Sequence, residues 1–145
     1  MKKLFLTAAI SVMALGSACA DIDRPIEVSD LPAKAQSFLK QYYPSVEISL
    51  AIEDKEFLFD EYEVVLVNGI KIDFNTSGEW IEVDCKYDSV PSVVVPLQIQ
   101  QDVAKRCPDA KIIKIKRLRK GYEVSLSNRL ELTYDSKFKV VEIDD

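Results

Sequence analysis

Histidine is absent from all 145 residues. Its absence excludes Ser-His and Cys-His nucleophile pairs, imidazole general bases and imidazole metal sites. Glycine is scarce: four residues stand far apart and two of them sit in hairpin turns, so no Gly-rich phosphate loop exists. Basic excess is also missing. The net charge is −5, and a chain this acidic is a poor general binder of nucleic acid or anionic membranes. Long apolar runs are confined to one, Leu4 to Leu15, which falls short of the roughly 20 residues a spanning helix needs. Carboxylates are plentiful, but on alternating strands they form a solvated face, so no enzyme is expected and no catalytic residue is assigned.

The one apolar run belongs to a secretory signal. Lys2 and Lys3 precede it, and Ala18-Cys19-Ala20 supplies a small-x-small cleavage site. Cleavage after Ala20 leaves a periplasmic or secreted chain of net charge −7, with no transmembrane segment. The alternative is lipid attachment at Cys19, against which Gly16 stands where a lipobox carries Leu. The remaining cysteines, Cys85 and Cys107, are an even pair in an oxidising compartment and permit one disulfide. Two separate buried thiols fit the same count.

Organisation comes from a repeated pattern. Tyr62 to Asp84 alternates apolar and polar residues, turns at Asn68-Gly69, alternates again and turns at Ser77-Gly78. Tyr122 to Asp144 follows the same course at an offset of 60 without a gap. Upstream, Leu31-Pro32 opens a helical spacing of Leu31, Ala35, Phe38, Leu39 and Tyr42, with Ser29 or Asp30 as cap, ended by Pro44. Val95-Pro96, Ile99, Val103 and Cys107-Pro108 answer it at an offset of 64. The expected domains are a signal over 1–20, a leader over 21–30, and two repeats over 31–88 and 89–145. The leader either adds an edge strand through Ile26 and Val28 or is loose.

Each repeat reads as one helix followed by four antiparallel strands. The fold class is therefore α+β: two tandem repeats of one helix plus a four-stranded antiparallel sheet. Within the first unit, Val46 to Ile52 is a strand and Glu53 to Glu56 a polar bend. The first strand of the second unit, Lys111 to Leu118, can run in either phase. Alternation places Tyr62, Val64, Leu66, Ile70, Ile72, Phe74, Ile81 and Val83 beneath the helix, with Tyr122, Val124, Leu126, Leu130, Leu132, Tyr134, Val141 and Ile143 as counterparts. It places Glu63, Val65, Val67, Lys71, Asp73, Trp80, Glu82 and Asp84 on the open face, with Val140 the counterpart of Trp80.

That open face is polar and acidic, with an apolar island of Val65, Val67 and Trp80. An exposed tryptophan among carboxylates is a candidate anchor for a protein or peptide partner, with Glu82 and Asp84 beside it. Phe57, Leu58 and Phe59, on an extension that only the first unit has, form a candidate loop contact. Calcium is the alternative ligand. Asp54, Glu56 and Asp60 crowd one bend and Asp84 and Asp88 another, although no twelve-residue calcium loop exists. The charge is unevenly shared, −7 over 31–88 and +3 over 91–145, so self-association is a further expectation.

The plan of a Leu-Pro helix ending in Tyr-Pro, then YEV-x-L-x-NG-x-K-x-DF-x-x-x-G-x-W-x-EVDCK, resembles the PepSY-like periplasmic proteins related in fold to the beta-lactamase-inhibitor protein. The likeness covers nearly all of 31–145, with Gly78 to Lys86 and YEVSLSN at Tyr122 its most specific parts. It implies two helix-plus-four-strand units whose sheets join into one curved surface with both helices on its convex side. It also implies a periplasmic or surface role, and binding or inhibition of other proteins or regulation by calcium. It implies no catalytic residues. Arg129 and Phe138 depart from the pattern where turn glycines are typical.

Overall fold

The computed structural model describes residues 23–56 and 59–145, without the side chains of residues 56, 59 and 60. The signal sequence, Cys19, Phe57 and Leu58 lie outside the described residues. In chain order the elements are β1 (Asp23–Pro25), α1 (Ala33–Tyr42), β2 (Ile48–Glu56), β3 (Phe59–Leu66), β4 (Lys71–Asn75) and β5 (Trp80–Asp84). There follow α2 (Leu97–Arg106), β6 (Ile112–Leu118), β7 (Gly121–Leu126), β8 (Glu131–Asp135) and β9 (Val140–Asp144). Among the described residues, nine strands form one antiparallel sheet in sequence order, β1 to β9.

Nine strands, not eight, is the first correction. The leader supplies β1, which pairs Asp23, Arg24 and Pro25 with Asp54, Glu53 and Ile52. The strand therefore uses 23–25, ahead of Ile26 and Val28. This pairing also explains the second correction. Glu53 to Glu56 is not a bend but the continuation of β2: Phe59 to Tyr62 of β3 pair with all four, and β1 pairs with Glu53 and Asp54 on the other side. A polar run that would be a bend alone becomes strand when a neighbouring strand pairs with it.

One row of side chains shows where the core sits. Ala51, Val64, Ile72, Val83, Ile115, Val124 and Leu132 are successive ladder partners from β2 to β8, and all are buried. Ala35 and Leu39 of α1 and Ile99 and Val103 of α2 bury into the same cluster. Burial of this face, at about 25 cal/mol per Å² of apolar area, is the main stabilising term. The register of β6 is now fixed: Ile115 points inward, and a bulge between Ile112 and Lys114 sets that phase.

Both helices begin at prolines, Pro32 and Pro96, without a side-chain cap. Asp30 instead closes a reciprocal pair with Glu27 in the short 3-10 turn before α1. The tight turns keep their geometry where glycine is missing. Arg129 and Phe138 take φ of 75° and 60°, matching 87° and 83° at Gly69 and Gly78. Asn68, Asn75, Asn128 and Asp135 each accept backbone N–H groups across these turns, which offsets part of the left-handed strain.

Two bulges overturn the simple alternation. In β4–β5 Phe74 pairs with Trp80 and Asp73 with Glu82, leaving Ile81 unmatched. In β8–β9 Tyr134 pairs with Val140 and Thr133 with Glu142, leaving Val141 unmatched. Trp80 and Val140 therefore share the helix-side face with Phe74 and Tyr134. Val141 and Ile143, expected in the core, are 62% and 52% exposed, because among the described residues β9 has a strand on one side only.

Candidate functional site: the open face of the sheet

The face away from the helices is built from two long ladder rows. Pro25, Ile52, Glu63, Asp73, Glu82, Lys116, Glu123, Thr133 and Glu142 form one. Leu50, Val65, Lys71, Asp84, Lys114, Ser125, Glu131 and Asp144 form the other. Val65, Glu82 and Asp84 thus stand where the sequence places them, and Val67 is 59% exposed just past β3.

Trp80 does not. The bulge at Ile81 turns it to the helix side, where it is 9% exposed and the Arg117 guanidinium lies 3.9 Å from its ring centroid. It forms part of a cleft of about 540 Å³ with Phe38 and Tyr42 of α1 and Val93 and Val94 of the linker. The apolar island of the open face loses its aromatic member.

Charge on the open face is strongly uneven. Lys71 meets Glu63 at 2.8 Å and Asp73 at 3.8 Å, while Glu82 meets Lys114 at 3.2 Å and Lys116 at 3.9 Å. Asp84 is held by Lys86 at 2.8 Å. Burial alone would raise the Asp84 carboxyl, but the hydrogen bonds and charge of Lys86, with Lys114, hold it below the usual range. The acids of β5 thus each have a cation from β6 or the following turn.

Toward β1 the balance changes. Asp23, Asp54, Glu61, Glu63 and Asp73 surround a recess of about 280 Å³ with Lys71 as the cation among its described lining residues. Asp73 Oδ1 is buried and accepts no hydrogen bond among the described residues. Its carboxyl is pushed up to about 6, first by burial and then by Glu82, Glu63 and Glu61, against the pull of Lys71. The Glu63 hydrogen bond is the main force raising the Lys71 ammonium in turn. Sequence reasoning missed this recess because β1 and the continuation of β2 create it; Asp73 and Glu63 on one open-face row were its legible signal.

The calcium set expected from sequence does not come together. Asp54 on β2 and Asp84 on β5 are three strands apart, about 14 Å at the usual strand spacing, whereas calcium binds oxygens at about 2.3–2.6 Å. Asp88 follows Asp84 in the turn after β5, and the side chains of Glu56 and Asp60, like that of Phe59, are outside the description. Among the described residues no three acids or thiols are placed to hold a metal ion. Nor is a disulfide formed between Cys85 and Cys107, which are separate free thiols. Cys85 is buried 3.6 Å from the Tyr43 hydroxyl, and burial raises its thiol, while Cys107 ends α2.

Comparison with known proteins places this architecture. No curated protein matches the chain. Among solved structures, a "putative calcium-regulated periplasmic protein" of Bacteroides thetaiotaomicron is 46% identical, with a TM-score of 0.82 over 85% of this chain and 97% of its own. A "putative periplasmic protein" of the DUF2874 family from Bacteroides vulgatus is 43% identical, with a TM-score of 0.84 over 87% and 99%. A third, also from Bacteroides vulgatus and described as of unknown function, is 32% identical, with a TM-score of 0.81 over 86% and 100%. These relatives place the chain in the periplasm, and among the described residues no helix is long and apolar enough to cross a membrane. Residues 60–142 match the family described as "Putative beta-lactamase-inhibitor-like, PepSY-like"; the chain belongs to this PepSY-like family.

Proposed function

We propose that this chain is a non-catalytic periplasmic binding protein whose open sheet face takes a basic segment of a protein partner. The carrying observation is the recess between β1 and β4, where five carboxylates surround one lysine and Asp73 keeps a buried oxygen without a hydrogen-bond donor among the described residues. A lysine or arginine side chain would supply both the missing charge and the missing donor. Val65, Glu82 and Asp84 extend the same surface toward the sheet centre. This reading takes the two halves as copies of one helix-plus-four-strand unit, supported by their matching ladder registers. The family description fits an inhibitor-like role; fold alone does not name its target.

The test is capture from periplasmic extract of the source organism with wild type and with Glu63→Gln/Asp73→Asn. The double variant should lose the wild-type partner, and capture should weaken as salt rises from about 50 to about 500 mM. Equal capture by both proteins would sink the assignment.

Calcium is the second reading, favoured by the calcium regulation named for one relative. Of the five acids expected from sequence, Asp54 lines the recess; no three described acids stand in reach of one ion, so calcium would have to draw the recess acids together. Millimolar calcium should then raise the melting midpoint above that in chelator, because a ligand bound only by the native state stabilises it. An unmoved midpoint counts against calcium and leaves the basic-segment reading intact.

A further inference from the structure

The joint between β5 and β6 shows what kind of strand the β5 edge accepts. Glu82, Val83 and Asp84 pair with Lys116, Ile115 and Lys114. The central pair Val83–Ile115 is fully buried, and Glu82 holds Lys114 at 3.2 Å and Lys116 at 3.9 Å on the open face. The pairing runs past the strand, since the Cys85 N–H donates to the Ile113 carbonyl at 2.9 Å. Acidic-apolar-acidic meets basic-apolar-basic.

The same acidic-apolar-acidic edge recurs on β9. Glu142, Ile143 and Asp144 pair with Thr133, Leu132 and Glu131 of β8 in the register that Glu82, Val83 and Asp84 keep with Asp73, Ile72 and Lys71. The bulge before them is the same. On its other side, however, β9 has no strand in the sheet among the described residues. Ile143 is 52% exposed where Val83 is wholly buried, and both Glu142 and Asp144 lie exposed.

We propose that the β9 edge is a β-augmentation site for a partner strand in which lysine or arginine flanks an aliphatic residue. The partner would extend the sheet by backbone pairing, cover Ile143, and set its two cations against Glu142 and Asp144. Charge excludes the simplest rival occupants. Pairing β9 with β9 of a second copy would oppose carboxylates to carboxylates, which is destabilising. The β1 edge of a second copy is three residues long and ends in Pro25, which lacks a backbone donor. The β6 strand of a second copy is already paired on both sides.

The chain contains its own probe. A peptide of residues 111–120, KIIKIKRLRK, acetylated and amidated, carries the β6 pattern. Added to the full chain, it should bind saturably and slow amide exchange over Val140 to Asp145 at least about tenfold. Glu142→Lys/Asp144→Lys, both exposed substitutions, should weaken binding about tenfold or more through two reversed cross-strand pairs. The charge-swapped peptide KIIEIERLRK should prefer that variant over wild type. Peptide protection of Val140 to Asp145 that persists in Glu63→Gln/Asp73→Asn, where the recess is disabled, separates this edge from the recess. Absence of saturable binding, protection confined to other strands, or indifference to the charge reversal would each overturn the proposal.

Discussion

Helix and strand meet differently in the two halves of this sheet. In the first, Phe38 of α1 packs edge-on against Phe74 of β4 with ring centroids 5.6 Å apart. In the second, the corresponding places hold Asp102 of α2 and Tyr134 of β8, and the Tyr134 hydroxyl donates to Asp102 Oδ2 at 2.8 Å. An apolar pair in one half is a hydrogen-bonded pair in the other. Trp80, buried under Arg117, answers to Val140, and Asp73, deep in the recess, answers to Thr133. The ladder registers are shared, so these exchanges change the chemistry of each half without changing its strand pairing.

The largest effect should separate Trp80 from Val140. Trp80→Ala removes a buried aromatic and the surface beneath Arg117, so it should cost about 3–5 kcal/mol in chemical denaturation, against about 1 kcal/mol for Val140→Ala. Near-equal losses would show that Trp80 packs no better than its counterpart.

Asp73 should come next, with the opposite sign. Its folded value of about 6 lies above the ordinary 3.8, so between about pH 4 and 6 the folded state holds a proton that the unfolded state has released. Stability from this group therefore falls as pH rises through that window and stays reduced above it. Asp73→Asn should raise stability at pH 7 by up to about 3 kcal/mol and flatten the pH dependence across the same window. Thr133→Ala in the other half should leave that slope unchanged. Loss of stability in Asp73→Asn would mean that its contact with Lys71 outweighs its burial.

The smallest effect is expected at the exchanged pair. Tyr134→Phe removes one hydrogen bond but leaves Asp102 with Arg106 at 2.7 Å, so it should cost about 1 kcal/mol. Adding Asp102→Phe rebuilds the aromatic arrangement of the first half and should recover part of that loss in a double-mutant cycle.

The halves also show what could be read before any coordinates. Strands β3, β4, β7 and β8 were legible because Val64, Ile72, Val124 and Leu132 keep period two without interruption. Strands β5 and β9 were legible too, but not the face of Trp80 and Val140, since one extra residue at Ile81 and Val141 reverses the phase ahead of it and composition carries no mark of it. The acidic residues Asp73, Glu82 and Asp84 were assigned to the right face, yet the recess was not. It depends on Asp23 reaching Asp54 and on a charged run staying extended, both consequences of long-range pairing.

Trp80 offers a last consequence. It is the chain's single tryptophan, and it sits on β5, beside the seam to β6, beneath a cation contributed by β6. Its emission is therefore an intrinsic optical reporter of that seam. If the halves part before they unfold, the fluorescence transition will precede the loss of far-ultraviolet dichroism; if they melt as one body, the two traces will superimpose.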